Sequence, residues 1–363
     1  MDLPASRLRP ARATLLSLAG AAGVSASTVS RALRGDGRIS PTTRKRIEAL
    51  AAETGYAPNA MARTLLGGRS GLIGLVLGPM HNPFYPDLLE ELVAQAAERG
   101  QRLVILHAGE GSMEDRTAQA LLQYQLDGCI VTSAVLPSRI AAICRENAVP
   151  LVMVNRVARE HGTAVYCDNV EGGARLADWL IDAGHQRHAV VGGHVDTSTS
   201  LDRERGFVAR LAERGHALAV RFDGGSTRQG GWAAGTQVAT MSPGKRPDAI
   251  FAVSDGMAMG VIDALRANSV PVGEAGGVSV VGFDGVAAAL KPPYELTTIV
   301  QPLQSVVGRG LDLLLARVED PAAPDEVVML RGTLHLGRSA WRYGCARGNR
   351  AYGCAAGRSA RHP

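Results

Sequence analysis

From Gly71 onward the chain alternates short apolar runs with stretches of helical periodicity, and this alternation restricts the fold more than any other feature of its 363 residues. The first run, Leu72-Ile73-Gly74-Leu75-Val76-Leu77, has no polar side chain, as suits a strand buried on both faces. The pattern predicts further strands over Leu103–Leu106, Cys129–Thr132 and Pro150–Val154, with helices over Pro86–Arg99, Asp115–Gln125 and Ser138–Glu146. After Tyr166 the alternation restarts, with helices over Val170–Ala183, Asp202–Arg214, Gly231–Met241 and Gly256–Ala267. Strands are expected over His188–Gly192, Ala217–Phe222, Ala249–Val253 and Val278–Phe283. Strands separated by helices make parallel sheets covered on both sides. There are more strands than one sheet holds comfortably, so the pattern predicts two doubly wound α/β lobes with a cleft between them. Leu296–Val300 and a helix over Leu303–Val318 are expected to cross back to the first lobe, placing a hinge on each side of the cleft.

The segment ahead of this body has a different character. Leu15 to Ala22 can form a short helix with Leu15, Leu18 and Ala22 on one face. Gly23 permits a tight turn, and Ser25 is a good N-cap for the helix that follows. In that helix Val29 and Leu33, spaced i, i+4, share an inward face. Ala26, Ser27, Ser30, Arg31 and Arg34 fall on the outer faces. A small, polar, cationic face suits a DNA major groove, and an ordinary amphipathic surface helix has the same pattern. The next helix favours the first reading: Ser40 caps it, Pro41 occupies its first position, Ile47, Leu50 and Ala51 face inward, and Gly55 ends it. Three short helices, joined by a glycine turn and the Gly35-Asp36-Gly37 loop, make a helix-turn-helix head. From Tyr56 to Ser70 runs a linker with one short helix, capped by Asn59 and ended by Gly67-Gly68.

Charge divides the chain the same way. Residues 1–70 carry eleven Lys/Arg against four Asp/Glu, residues 71–337 carry 22 against 30, and residues 338–363 carry six against none. A basic head on an acidic body suits a DNA-binding head, and a solvated basic face would show the same asymmetry. At 46% hydrophobic and 20% charged residues the composition is that of a soluble globular protein. The five cysteines show no CxxC spacing, so neither a disulfide framework nor a zinc site is expected, and a reducing cytoplasm is the simplest compartment. No apolar run approaches the roughly 20 residues of a membrane span. Arg7, Arg9 and Arg12 followed by the weakly apolar run Ala13–Ala26 could also be read as a secretory signal peptide. Against that reading, two glycines and two serines interrupt the run, and a patterned basic helix follows it.

Taken in order, a set of motifs identifies a family. Ala22-Gly23-Val24-Ser25-x-x-Thr28-Val29-Ser30-Arg31-x-Leu33 is the strongest, followed by Gly55-Tyr56-x-Pro58-Asn59-x-x-Ala62-x-x-Leu65 and by Ile73-Gly74 with Asn82-Pro83-Phe84-Tyr85. Gly184-His185, Arg203-x-x-Gly206-Phe207, Ser254-Asp255-x-Met257-Ala258-x-Gly260, Val281-Gly282-Phe283-Asp284 and Leu296-Thr297-Thr298 complete the set. Over residues 14–338 the chain resembles the LacI/GalR (lactose/galactose-repressor) family of bacterial transcription regulators. It departs from the family at Ser17, where an acidic residue is common, and beyond about residue 340, where no tetramerising leucine heptads appear.

The resemblance implies a repressor that is a homodimer or a dimer of dimers, the dimer being the default without leucine heptads, and that binds a palindromic double-stranded operator, with a body like that of periplasmic binding proteins. Residues 14–57 would be the helix-turn-helix domain, 58–69 a hinge helix and 70–338 the two-lobe effector-binding and dimerisation domain; outside the resemblance, composition predicts a flexible basic arm over 1–13 and a disordered basic tail over 339–363. Ser25, Ala26, Ser27, Thr28, Ser30 and Arg31 would lie at the DNA, with Ala26, Ser27 and Arg31 reading bases and Arg31 paired with a guanine. Asn59, Ala62 and Leu65 of the hinge helix would also lie at the DNA, Leu65 as a wedge in the minor groove or as a leucine packed against the partner chain. A sugar or sugar acid would bind at the carboxyl ends of the strands. Its contacts would come from Asn82, Phe84, Tyr85, Thr132, Asn155, Arg203, Ser254, Asp255 and Asp284, with Asp255 alternatively capping its own helix. No cofactor or metal is expected. The sequence shows no P-loop, GxSxG or HExxH motif, and its histidines lack a nucleophile partner, so no enzyme is expected. An exported sugar-binding protein, with residues 1–26 as its signal, is the alternative.

Overall fold

The computed structural model describes residues 13–33, 35–56, 69–77, 80, 82–107, 123–132, 137–156, 162–194 and 197–343. Outside these lie the arm to residue 12, the hinge residues Asn59, Ala62 and Leu65, most of the helix expected over 115–125, and the tail beyond Tyr343.

The head has three helices, α1 (Leu15–Ala22), α2 (Ala26–Leu33) and α3 (Pro41–Thr54). Thr14 and Ser17 form a reciprocal capping box on α1, which supplies hydrogen bonds that its own sequence is otherwise poor in. Gly23 ends α1 at φ 62° and Gly55 ends α3 at φ 64°, left-handed geometry that favours glycine. Ser40 accepts from the Thr43 amide ahead of Pro41, as expected. Leu18, Ala22, Val29, Ala32, Ile47 and Ala51 form the small core. The Arg46 guanidinium donates to the Ala22 carbonyl (2.8 Å) and ties α3 to the turn after α1.

The body contains two six-stranded sheets. The first-lobe sheet is ordered β11-β5-β4-β3-β1-β2. Its strands are β1 (Leu72–Leu77), β2 (Arg102–His107), β3 (Gly128–Val131), β4 (Leu151–Val154), β5 (Thr163–Cys167) and β11 (Val327–Leu330), all parallel. The second-lobe sheet is ordered β12-β10-β9-β8-β6-β7. It comprises β6 (His188–Gly192), β7 (Leu218–Asp223), β8 (Ala249–Ala252), β9 (Ser279–Asp284), β10 (Thr297–Val300) and β12 (Thr333–His335), parallel but for β12. The helices are α4 (Phe84–Glu98), α5 (Pro137–Glu146), α6 (Asn169–Asp182), α7 (Ser198–Glu213), α8 (Arg228–Thr240), α9 (Asp255–Ala267), the single turn α10 (Ala287–Leu290) and α11 (Leu303–Glu319).

The chain crosses between lobes three times: from β5 to α6, from β10 to α11, and from β11 to β12. Of the segments expected to return to the first lobe, only the helix does so. α11 packs on β3, β4 and β5, whereas Thr297–Val300 stays in the second sheet. β5, β11 and β12 were not anticipated. β11 and β12 are short sheet edges, half-exposed, and carry no buried-strand signal.

α6 and α7 meet through glycines. A Cβ on Gly173 would lie 2.2 Å from the Arg203 carbonyl oxygen, and one on Gly206 would lie 2.1 Å from that of Val170. This approach drives Arg203 into the interior, where it is 4% exposed. Ser339 to Tyr343, placed in the tail on sequence, are packed on the second lobe. The Ser339 hydroxyl donates to the Val280 carbonyl (2.6 Å), the Tyr343 amide donates to Ala183, and the His185 ring bonds the Trp341 carbonyl. In β6, His188 is fully buried, edge-on to Phe207 and 5.2 Å from the His216 ring, with no partner for either ring nitrogen.

Candidate functional site: the helical head and the interlobe cleft

On the head, the Ser25 hydroxyl accepts from the Thr28 amide (3.1 Å) and bonds the Ser27 and Thr28 hydroxyls, each at 2.8 Å. This network fixes the start of α2. Ser27 and Arg31, one turn apart, are exposed on a common face. Ala26 is half-buried and packs against the head core, while Thr28 and Ser30 are half-buried. Arg44, also in this basic head, is turned inward and donates to the carbonyls of Gly35 and Asp36.

In the body, side chains of the two lobes meet: Asn82 reaches Asp284, and Arg156 reaches Thr199. Asp284 ends β9 at φ 141° and Asn155 follows β4 at φ 63°, backbone conformations that cost energy for residues with a side chain. Both are buried. The Asp284 carboxylate receives Arg203 Nη1 (3.0 Å), Gln301 Nε2 (2.8 Å) and, from the other lobe, Asn82 Nδ2 (3.4 Å). Burial raises the pKa of Asp284, and Arg203 opposes that rise. Arg203 has further partners: Nε donates to Asn169, Nη1 also donates to the Val253 carbonyl, and the guanidinium lies 3.9 Å over the Phe283 ring. Asp255 accepts from the amides of Gly285 (2.7 Å) and Val286 (2.9 Å) and from the Thr298 hydroxyl (2.6 Å). Burial, then the nearby Asp284 charge, pushes its pKa up to about 7. Asp255 thus ties α9 to the loop after β9. It does not cap its own helix; that role falls to Ser254, which accepts from the Met257 amide.

The first lobe contributes differently. Asn82 Oδ1 accepts from the Phe84 amide, so its side chain links the start of α4 to Asp284. Phe84 is buried in the core, edge-on to Tyr85. The Thr132 hydroxyl donates to the Val76 carbonyl. Tyr85 is nearly buried, and its hydroxyl accepts from Arg156 Nη2 (3.0 Å). Arg156 Nη1 reaches across to Thr199 of the second lobe (2.8 Å). Sequence reasoning missed Arg156, Thr199, Gln301 and Asn169. Arg156 adjoins the Asn155 already singled out, which is the one signal that pointed towards it. The nine residues expected at an effector therefore divide. Asn82, Arg203 and Asp284 form one cluster, with Asn155 and Tyr85 beside Arg156. Phe84, Thr132, Ser254 and Asp255 are committed to packing or to protein partners.

Comparison with known proteins agrees with this architecture. The family model for bacterial regulatory proteins, lacI family, matches residues 14–59, and that for a periplasmic binding protein-like domain matches residues 177–340. The chain is 32% identical to the HTH-type transcriptional regulator AscG of Escherichia coli (strain K12), over 83% of this chain and 92% of that protein. It is 31% identical to the ribose operon repressor of the same organism, over 88% and 97%. The lac repressor dimer bound to operator shares the fold at TM-score 0.81 and 24% identity, covering 91% of this chain and 99% of the other. The regulator CelR in complex with cellobiose gives TM-score 0.67 at 28% identity, covering 91% and 100%. With its helix-turn-helix head, its two parallel-sheet lobes and these relatives, the chain belongs to the lacI family of bacterial regulatory proteins.

Proposed function

We propose that the protein is a cytoplasmic, homodimeric transcriptional repressor whose grip on a palindromic operator is set by a small sugar-like effector held between the lobes. The observation that carries this reading is the convergence of polar side chains from opposite lobes, half-buried Asn82 and buried Arg156 from the first and buried Asp284, Arg203 and Thr199 from the second. A ligand that exchanges these bonds for its own changes the angle between lobes, and three crossover segments carry that change towards the head. Similarity supports the effector class: one relative is the ribose operon repressor, and the CelR structure holds cellobiose.

In this reading residues 14–57 are the DNA-binding domain, 58–69 the hinge, and Leu65 the wedge that opens a central base step. The cleft binds and releases its ligand without chemical change. Ser27 and Arg31 supply the polar contacts to the half-site. Arg31→Ala is expected to cost about 1–3 kcal/mol on the cognate operator and much less on random DNA, read by fluorescence anisotropy at fixed salt. An equal loss on both sequences would show that Arg31 contacts phosphate alone.

A further inference from the structure

The two arginines of the cleft differ in one respect. Arg203 has a carboxylate partner, Asp284. Arg156 is only 9% exposed, yet Nη1 and Nη2 meet neutral hydroxyls, those of Thr199 and Tyr85, and Nε is buried with no partner at all. Among the described residues no carboxylate pairs with it. A buried cation without a counter-charge is costly, because water has been removed and nothing charged replaces it. Thr199 adds a second feature. It lies in the first turn of α7, a 16-residue helix whose N-cap makes no side-chain hydrogen bond and whose first turn has no acidic residue. The amides of that turn point out of the helix end, and the aligned peptide dipoles favour an anion there. Beside Arg156, Asn155 Oδ1 is likewise buried with no partner, an acceptor suited to a hydroxyl.

Resting on the effector reading above, we infer that the effector carries an anionic group, a phosphate or a carboxylate, seated between the Arg156 guanidinium of the first lobe and the N-terminal turn of α7 in the second. Thr199 and Tyr85 flank the anion with hydroxyls that can rotate to donate, and Asn155 accepts from a neighbouring sugar hydroxyl. Because the anion's partners come from both lobes, its charge holds the cleft closed. A neutral sugar leaves the Arg156 charge uncompensated.

Isothermal titration of the full-length protein tests this with matched probes: glucose against glucose 6-phosphate, ribose against ribose 5-phosphate, glucose against gluconate, and inorganic phosphate alone. One anionic form is expected to bind at least about 10-fold tighter than its neutral parent, and the phosphate and carboxylate arms identify which anion fits. Arg156→Gln is expected to weaken that anionic ligand by at least about 10-fold more than it weakens the neutral parent sugar. Arg156→Lys should retain part of the preference, since the charge remains while the planar fork is lost. Neutral sugars binding the wild type as tightly as their anionic forms would overturn the inference and leave the effector reading intact. So would equal losses of both ligand types in Arg156→Gln. No response to any sugar, with operator binding preserved, would remove the sugar-effector reading and the inference together. The wild-type ranking needs no variant, so a folding defect in Arg156→Gln leaves the test decisive.

Discussion

Replacing Arg203 with methionine is expected to destabilise the protein by about 3–5 kcal/mol, the largest single loss anticipated in the body. Methionine fills similar volume and keeps contact with Phe283, so the loss isolates the guanidinium. Without it the Asp284 carboxylate stays buried near Asp255, with Gln301 and Asn82 as its remaining side-chain donors. Asp284 then resolves the conflict by holding a proton, since burial already raises its pKa. The sign follows. A carboxyl that ionises later in the folded chain than in the unfolded one costs stability as pH rises, so the deficit of Arg203→Met should be larger at pH 7 than at pH 5. Urea unfolding at the two pH values measures it. The double variant Arg203→Met/Asp284→Asn should recover a good part of the loss, because it removes the stranded charge. A deficit below about 1 kcal/mol for the single variant would mean that water reaches Asp284 freely.

The second large effect is a pH dependence from outside the cleft. Burial in β6 lowers the His188 pKa to about 4 from an ordinary 6.5; His216 and His185 nearby push the same way, and Asp248 opposes them. Below pH 6.5 the unfolded chain takes up a proton that the native His188 refuses, so stability falls as pH drops from 6.5 towards 4. His188→Ile removes both the titration and two unpaired ring nitrogens. The variant should exceed the wild type by a margin that grows by about 2–3 kcal/mol between pH 8 and pH 4.5. Asp255, whose pKa is raised to about 7, works in the opposite direction over much of the same range. It contributes to both proteins and cancels in their difference. Thermal melts of the pair across this range provide the test, and a pH-independent difference would show that His188 is already solvated.

These two residues also mark where sequence reasoning stops. Arg203 and Asp284 were singled out separately, as hydrogen-bonding groups for a ligand. That they face each other depends on α7 lying against α6, and that approach is made possible by Gly173 and Gly206 on two different helices. His188 lies in a run that is otherwise apolar and reads simply as part of a strand. Nothing local distinguishes a buried imidazole with no partner from one that reaches solvent. Asp255 was open to two local readings, and the tie it makes to Gly285 and Val286 joins residues about thirty positions away.

The sequence by itself determined what local physics controls. Helix starts and stops in the head followed from Ser25, Ser40, Pro41 and the glycines at 23 and 55, because capping bonds and left-handed backbone involve neighbours along the chain. The alternation of apolar runs and helices determined the two-lobe α/β class, because a strand covered on both faces tolerates few polar side chains. The order of motifs determined the family. Tertiary structure alone decided which lobe receives β10 and α11, that β5, β11 and β12 complete the sheets, and that residues 339–343 pack on the second lobe. It also decided which arginine in the cleft meets a carboxylate among the described residues and which meets only hydroxyls. A side chain's charge is written in the sequence, but its counter-charge comes from whatever the fold brings within about 4 Å, and for Arg203 and Arg156 those neighbours lie dozens of residues away.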